Sequence, residues 1–315
     1  MIEVQNLSKN YGKVKAVRNV SFSVGKDQVL GFLGPNGAGK TTIMKILTGY
    51  HFPSGGTALV DNIRVDEYPV EVKKRIGYLP ESIPLYLDMT VDEYLAFIAE
   101  ARLIPGAERK KAIDSCLEAC GLAVYRGRKI ETLSKGFRQR TGLAQAILHD
   151  PPILILDEPT NGLDPNQIIE IRSLIKELGR RKTVILSSHI LQEVEAICSQ
   201  VLIINEGKIA AQGTPEEIAG TMKGGDTWEL TLKGAAADAI KNKLSQFGVA
   251  SISTTALEDG TVTANFFVVE SDSTAIPAGE RIFDWAVAGG LKILAMSRKK
   301  VSLEDIFVSL TGGEQ

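Results

Sequence analysis

Gly34-Pro35-Asn36-Gly37-Ala38-Gly39-Lys40-Thr41-Thr42 completes the pattern G-x-x-x-x-G-K-[ST]. The apolar run Val29-Leu30-Gly31-Phe32-Leu33 precedes it, and a helix-like stretch, Thr42 to Leu47, follows. A strand delivers the loop, and Gly34, Gly37 and Gly39 permit backbone geometries closed to larger residues. The amides then point inward at the N-terminus of a helix, whose dipole favours phosphate. In this pattern Lys40 reaches the β- and γ-phosphates and Thr41 holds Mg²⁺. A glycine-rich turn before an ordinary helix is the plain alternative, and the full pattern between strand and helix argues against it. The stretch implies a nucleoside triphosphate site.

Working outward, the 315 residues suffice for one large domain or two of ordinary size. Hydrophobic residues make up 44% and charged residues 23%, a globular balance. A net charge of −2 leaves no electrostatic footprint for nucleic acid. No apolar run reaches the roughly 18 residues that a membrane span needs. Met1-Ile2-Glu3-Val4 lacks the basic and apolar regions of a signal peptide. A cytoplasmic setting is the expectation, consistent with only three cysteines. Cys116 and Cys120 share a helix face without a neighbouring histidine, so they read as structural thiols.

Two textures divide the chain. Residues 1–220 carry short strand-like runs at Ile2 to Val4, Val20 to Val24 and Val29 to Leu33, then alternate strands with helices. Ile153 to Leu156, Thr183 to Leu186 and Val201 to Ile204 read as buried parallel strands. Pro165 to Leu178 reads as a helix with Ile168, Ile171, Leu174, Ile175 and Leu178 along one stripe. The alternation predicts an α/β core with a mainly parallel sheet. A helical subdomain is expected at about 88–149, opened by the capping-box pair Thr90 and Glu93. Its further helices are expected at Glu108 to Cys120 and Gly136 to Leu148. A glycine-rich linker at 221–226 then leads to 227–315, read as strand, helix, strand, strand, helix, strand. That order predicts a smaller α+β ferredoxin-like domain with a turn at Asp259-Gly260. A terminal helix from Ser302 to Leu310 is expected to dock through Leu303, Ile306, Phe307 and Leu310.

Asp157-Glu158 ends the apolar strand Ile153 to Leu156, where a carboxylate from Asp157 can hold Mg²⁺. Glu158 is then placed to polarise an attacking water as general base. Standing alone, the pair would read as a solvated strand end; after a complete phosphate loop it reads as catalytic. Leu133-Ser134-Lys135-Gly136-Phe137 begins a predicted helix, a second place suited to anionic phosphate.

With these stretches in this order, residues 1–220 resemble the ATP-binding cassette (ABC) family. The resemblance implies a P-loop NTPase core of the ABC type, with ATP and Mg²⁺ as ligands. Gly34 to Thr42 matches the Walker A motif and Ile153 to Glu158 the Walker B motif. Leu133 to Phe137 matches the signature Leu-Ser-Gly-Gly-Gln, keeping Ser134 and Gly136 and departing at Lys135 and Phe137. Gly162-Leu163-Asp164 matches the D-loop, His189 the switch histidine at the γ-phosphate, and Tyr11 the aromatic residue under adenine. Glu81 stands where most of the family has glutamine. A carboxylate accepts but does not donate, so Glu81 can face Mg²⁺ while its contact with the attacking water is put in question. Glu81, the Leu-Ser-Lys-Gly form and the ending Leu303-Glu304-Asp305-Ile306-Phe307 are similar to ABC-2-type exporter and gliding-motility-like ATPases.

The resemblance further implies ATP hydrolysis in a head-to-tail pair, each ATP lying between one subunit's Walker A and the other's signature. A homodimer is expected, on the cytoplasmic side of a membrane, attached to a separately encoded transmembrane permease that chooses the cargo. The competing reading is a soluble ABC-type ATPase acting on ribosomes or DNA. Such proteins carry paired cassettes with basic linkers, long coiled coils or zinc motifs, none of which this sequence shows.

Overall fold

The computed structural model describes residues 1–221, 225–257, 260–269, 276–299 and 307. The chain divides into two compact units, Met1–Pro215 and Glu216–Ser309. From the N-terminus run β1 (Ile2–Tyr11), β2 (Val14–Val24), β3 (Val29–Leu33), α1 (Lys40–Leu47), β4 (Gly55–Val60), β5 (Ile63–Arg64), α2 (Pro69–Arg75) and β6 (Ile76–Leu79). The helical stretch that follows holds α3 (Val91–Ala101), α4 (Gly106–Ala119) and α5 (Lys135–Ile147). Then come β7 (Ile153–Asp157), α6 (Pro165–Gly179), β8 (Thr183–Ser188), α7 (Leu191–Ile197), β9 (Gln200–Asn205), β10 (Lys208–Gly213) and α8 (Pro215–Thr221).

Six strands form one sheet in the order β10-β9-β3-β8-β7-β6, parallel except for β10. Every residue of β3, β7 and β8 is buried, which explains their unbroken apolar character. The registers align the carboxyl ends of four neighbours: Leu33 lies beside Ser188, Ser187 beside Asp157, and Leu156 beside Leu79. The phosphate loop, His189, Glu158 and Glu81 follow these ends directly. Ligands of open parallel sheets bind beyond the carboxyl ends of the strands, and here four such ends lie side by side.

A second sheet, in the order β2-β1-β4-β5, is antiparallel and differs from the expectation of short strands on one mainly parallel sheet. β1 and β2 run far past the apolar runs at Ile2 to Val4 and Val20 to Val24. The pairing shifts register between Val4 and Leu7 and again towards Tyr11, with Asn6 at a φ of 50°. A bulged strand breaks strict alternation, so its hydrophobic period is lost from the sequence. The inward side chains Ile2, Val4, Leu7, Val17, Val20 and Phe22 join one core with Phe32, Ile43 and Met44.

The capping box at α3 forms as its residues predict. Thr90 Oγ1 accepts from the Glu93 amide at 3.2 Å, and the Glu93 carboxylate accepts from the Thr90 amide at 2.8 Å. The Thr90 amide and the Thr90 hydroxyl, which donates to the same oxygen at 2.9 Å, hold the Glu93 carboxyl below the usual carboxylate range. Gly77 of β6 lies against α5, where a Cβ would collide with the Ala146 carbonyl, so strand and helix touch backbone to backbone. Cys116, Cys120 and Cys198 are free and buried, and burial pushes the Cys116 thiol up to about 12.

The second unit contains β11 (Gly225–Lys233), α9 (Ala237–Phe247), β12 (Ala250–Ala256), β13 (Val262–Val269), α10 (Ala278–Ala288) and β14 (Lys292–Lys299). Its antiparallel sheet runs β12-β13-β11-β14, the ferredoxin-like order. Leu230, Leu232, Ile240, Leu244, Phe266 and Ile282 belong to its own core. α10 begins at Ala278, directly after Pro277 at its N-cap. Asp259 and, except for Phe307, the terminal helix expected at Ser302 to Leu310 lie outside the described residues.

Candidate functional site

The phosphate loop is shaped by close backbone approaches. Gly39 holds a φ of 109°, and a Cβ there would fall 2.6 Å from the Ala16 carbonyl. A Cβ at Gly34 would collide with the Ile204 carbonyl. Only glycine fits either place. Gly39 is the N-cap of α1 and no side chain caps that end, which leaves amides of the first turn available to an anion. Asn36, Gly37, Ala38, Gly39, Lys40, Thr41 and Thr42 line a cavity of about 280 Å³ together with Ala16, Glu81 and Glu158.

Lys40 is 6% exposed and donates to the carbonyls of Gly34 at 2.7 Å and Pro35 at 3.3 Å. Its Nζ lies 3.7 Å from Glu158 Oε1. Burial pulls the ammonium below the ordinary lysine range, against Glu158 and Asp157, which push it up. A phosphate in the cavity would add to that upward push and favour the charged lysine.

Asp157 is buried. Its Oδ1 accepts from Ser187 Oγ at 2.7 Å and from Thr41 Oγ1 at 3.2 Å. Its Oδ2 is buried with no hydrogen-bond partner. Burial raises this carboxyl above the usual range, and the two hydroxyls work in the opposite direction. A buried carboxylate oxygen left without a donor suits a cation. Among the described residues no three His, Cys, Asp or Glu side chains gather to hold a metal unaided. The donor set therefore fits Mg²⁺, which binds through one or two carboxylates and takes substrate phosphates for the rest.

Glu158 sits at a φ of 48°, in the left-handed region, with its amide donating to Ser187 Oγ at 2.9 Å. A non-glycine residue there carries strain of about 1–3 kcal/mol, which surrounding contacts must hold in place. The carboxylate is clamped on both oxygens, by Lys40 at Oε1 and by His189 Nδ1 at 3.0 Å from Oε2. Glu81 Oε1 accepts from Asn161 Nδ2 at 3.3 Å, tying the end of β6 to the segment after β7.

Two sequence-assigned groups stand apart from this cavity. Ser134 caps α5, its Oγ accepting from the Phe137 amide at 3.4 Å, and neither Ser134 nor Gly136 lines the cavity. Gly136 is covered by Gln167 of α6, and Gly162 of the D-loop by Lys135, so signature and D-loop pack on each other within the chain. Tyr11, 42% exposed at the end of β1, packs edge-to-face on His51 with ring centroids 5.7 Å apart.

Ala16, Ser187 and Asn161 were missed by sequence reasoning. A motif search has no purchase on Ala16 or Asn161, which act from across the fold. Ser187 was findable: Ser187-Ser188 puts two hydroxyls at the end of an apolar strand, directly before His189.

Comparison with known proteins agrees with this arrangement. The family model described as ABC transporter matches residues 17–161. The linearmycin resistance ATP-binding protein LnrL of Bacillus subtilis (strain 168) is 32% identical, covering 99% of this chain and 98% of its own. The bacitracin transport ATP-binding protein BcrA of Enterococcus faecalis is 32% identical, covering 99% of this chain and 97% of its own. Among solved structures, the dimeric bacterial ABC transporter cassette MJ0796 superposes with a TM-score of 0.63 at 26% identity, over 68% of this chain and 98% of that one. The chain therefore belongs to the ATP-binding subunits of the ABC transporter family, binding ATP and hydrolysing it in step with transport.

Proposed function

We propose that this chain is the motor subunit of an ABC-2-type exporter, working head to tail with a second copy. In this reading each ATP lies between the phosphate loop of one subunit and the Ser134 to Gly136 stretch of the other. The observation that carries it is the separation of the two: the signature does not line its own chain's cavity. A second chain has to bring one to the other, as a two-fold pair does for both sites at once.

The roles assigned here rest on the contacts of Lys40, Glu158 and Asp157 together with what the family resemblance implies for the other residues. Glu158 takes a proton from the attacking water as general base, aimed by Lys40 and His189 at 3.7 Å and 3.0 Å. His189 spans from Glu158 to the γ-phosphate. Lys40 and the amides of Gly34 to Thr42 cradle the phosphates, and Tyr11 stacks on adenine. Thr41, Asp157 and Glu81 would hold Mg²⁺, which neutralises charge on the phosphate oxygens.

Similarity to LnrL and BcrA extends over the whole chain, which supports an exporter attached to the cytoplasmic face through a separate permease. Among the described residues no helix is long and apolar enough to cross a membrane. Tyr86 and Leu87, which follow Glu81, and Phe97 of α3 are exposed, with the Tyr86 and Phe97 rings 5.5 Å apart. This aromatic patch is where the permease docks. The experiment purifies the tagged chain from membranes and asks whether a membrane-spanning protein comes with it. The doubly substituted chain Tyr86→Glu/Phe97→Glu is expected to turn over ATP alone yet lose the permease. Retention of the permease removes the patch assignment, and enrichment on ribosomes rather than membranes removes the exporter reading.

The ferredoxin-like unit is assigned a supporting role in pairing or coupling, since it has its own core and, among its described residues, no cluster that could hold a metal ion. A chain ending at Lys223 is expected to keep its ATP affinity and to dimerise or couple differently in sedimentation. Loss of ATP affinity from a folded truncation would mean that residues beyond 223 help build the site.

A further inference from the structure

Glu193, in the first turn of α7, is a carboxylate at 2% exposure that no step of the reaction uses. Burying an ion is costly unless its oxygens are satisfied. Its Oε2 accepts from Thr160 Oγ1 at 2.6 Å and from Ser188 Oγ at 2.8 Å. Its Oε1 makes no hydrogen bond and faces Arg172 Nη2 of α6 at 3.6 Å. The places of the two hydroxyls give the cluster its meaning. Thr160 lies two residues beyond Glu158, and Ser188 immediately precedes His189. Ser188 Oγ also accepts from the Ile190 amide at 3.0 Å, closing a tight turn around His189. One oxygen of Glu193 therefore joins the segment that carries Glu158 to the segment that carries His189. The 3.0 Å contact between those two side chains is built on that joint.

We infer that Glu193 is a positioning residue for ATP hydrolysis, setting His189 against Glu158 through Thr160 and Ser188. The inference rests on the roles proposed above for Glu158 and His189. Arg172 supplies the counter-charge, and it links the joint to the helix that follows the D-loop. Alanine at 193 removes both hydrogen bonds and unties the His189 turn from the segment that carries Glu158. Glutamine keeps a carbonyl oxygen that can accept both hydroxyls.

The test measures steady-state ATP turnover and equilibrium ATP affinity of the full chain. Glu193→Ala is expected to lower kcat by about 10²-fold, the scale of an ångström misplacement, with ATP affinity unchanged. Glu193→Gln should keep most of the turnover. In a His189→Ala background, Glu193→Ala should add no further loss, because the group it positions is already gone. An additive loss in that background, or an ATP affinity that falls as far as kcat, overturns the inference. Should Glu193→Ala fail to fold, Thr160→Val removes the Thr160 bond alone, Ser188→Ala removes the Ser188 bond together with the one from the Ile190 amide, and both are read against His189→Ala in the same way. If Glu158→Gln and His189→Ala themselves turn over normally, the proposed roles fall. If those two lose activity while the Glu193, Thr160 and Ser188 variants do not, only the positioning role falls.

Discussion

Glu158→Gln is expected to bind ATP normally and to lose turnover by about 10²–10⁴-fold, the usual range for removal of a general base. The substitution changes little else. Glutamine has the same length, the strained backbone at 158 keeps its bond to Ser187, and Lys40, which loses an ion-pair partner at 3.7 Å, keeps its bonds to the Gly34 and Pro35 carbonyls. What disappears is the capacity to take a proton. ATP then stays unhydrolysed between the two subunits, so a stable dimer should appear on adding ATP to this variant alone. ATP closes the pair because its γ-phosphate contacts both faces, and hydrolysis removes that differential binding. Turnover near the native rate, with contaminating ATPase excluded, would remove Glu158 from the role. A full loss of turnover without ATP-dependent dimerisation would leave the base in place and break the link between hydrolysis and opening.

Much of this site was legible because its residues are contiguous in sequence. Gly34 to Thr42 directly follows a strand end at Leu33, and Ile153 to Glu158 holds a strand end and the chemistry that follows it. A parallel sheet sets those strand ends side by side. The remaining groups act across the fold. Ala16 lines the cavity from β2, and Asn161 holds Glu81 from a distant segment. Ser187 serves both Asp157 and the Glu158 amide because β7 and β8 pair in that register. Of these residues only Ser187 leaves a signal in the sequence, as one of two hydroxyls directly before His189. The same reasoning covers the fold. β3, β7 and β8 are buried on both faces and read as unbroken apolar runs. β1 and β2 have polar, exposed stretches and a bulge at Asn6, so only their apolar ends were visible.

Lys40→Ala and Ser134→Arg should each abolish turnover alone and restore it when mixed. Lys40 is the buried cation at the phosphate loop, and alanine removes both its charge and its bonds to the Gly34 and Pro35 carbonyls. Ser134→Arg places a long side chain where the partner's phosphate would meet the start of α5. It also removes an N-cap, worth about 1 kcal/mol, too little to unfold the chain. In a two-fold head-to-tail pair the phosphate loop of one subunit meets the signature of the other. A mixed dimer therefore holds one site with both defects and one with neither. Random mixing makes half the dimers mixed, so independent sites would give about a quarter of native turnover. Purifying the mixed dimer through two different tags removes the dilution and raises the expected value to about half. An inert mixed dimer has two readings, which ATP-dependent dimerisation separates. If ATP still closes it, the two sites fire only together. If ATP does not close it, Ser134 does not complete the partner's site, and the head-to-tail arrangement proposed for this chain is wrong.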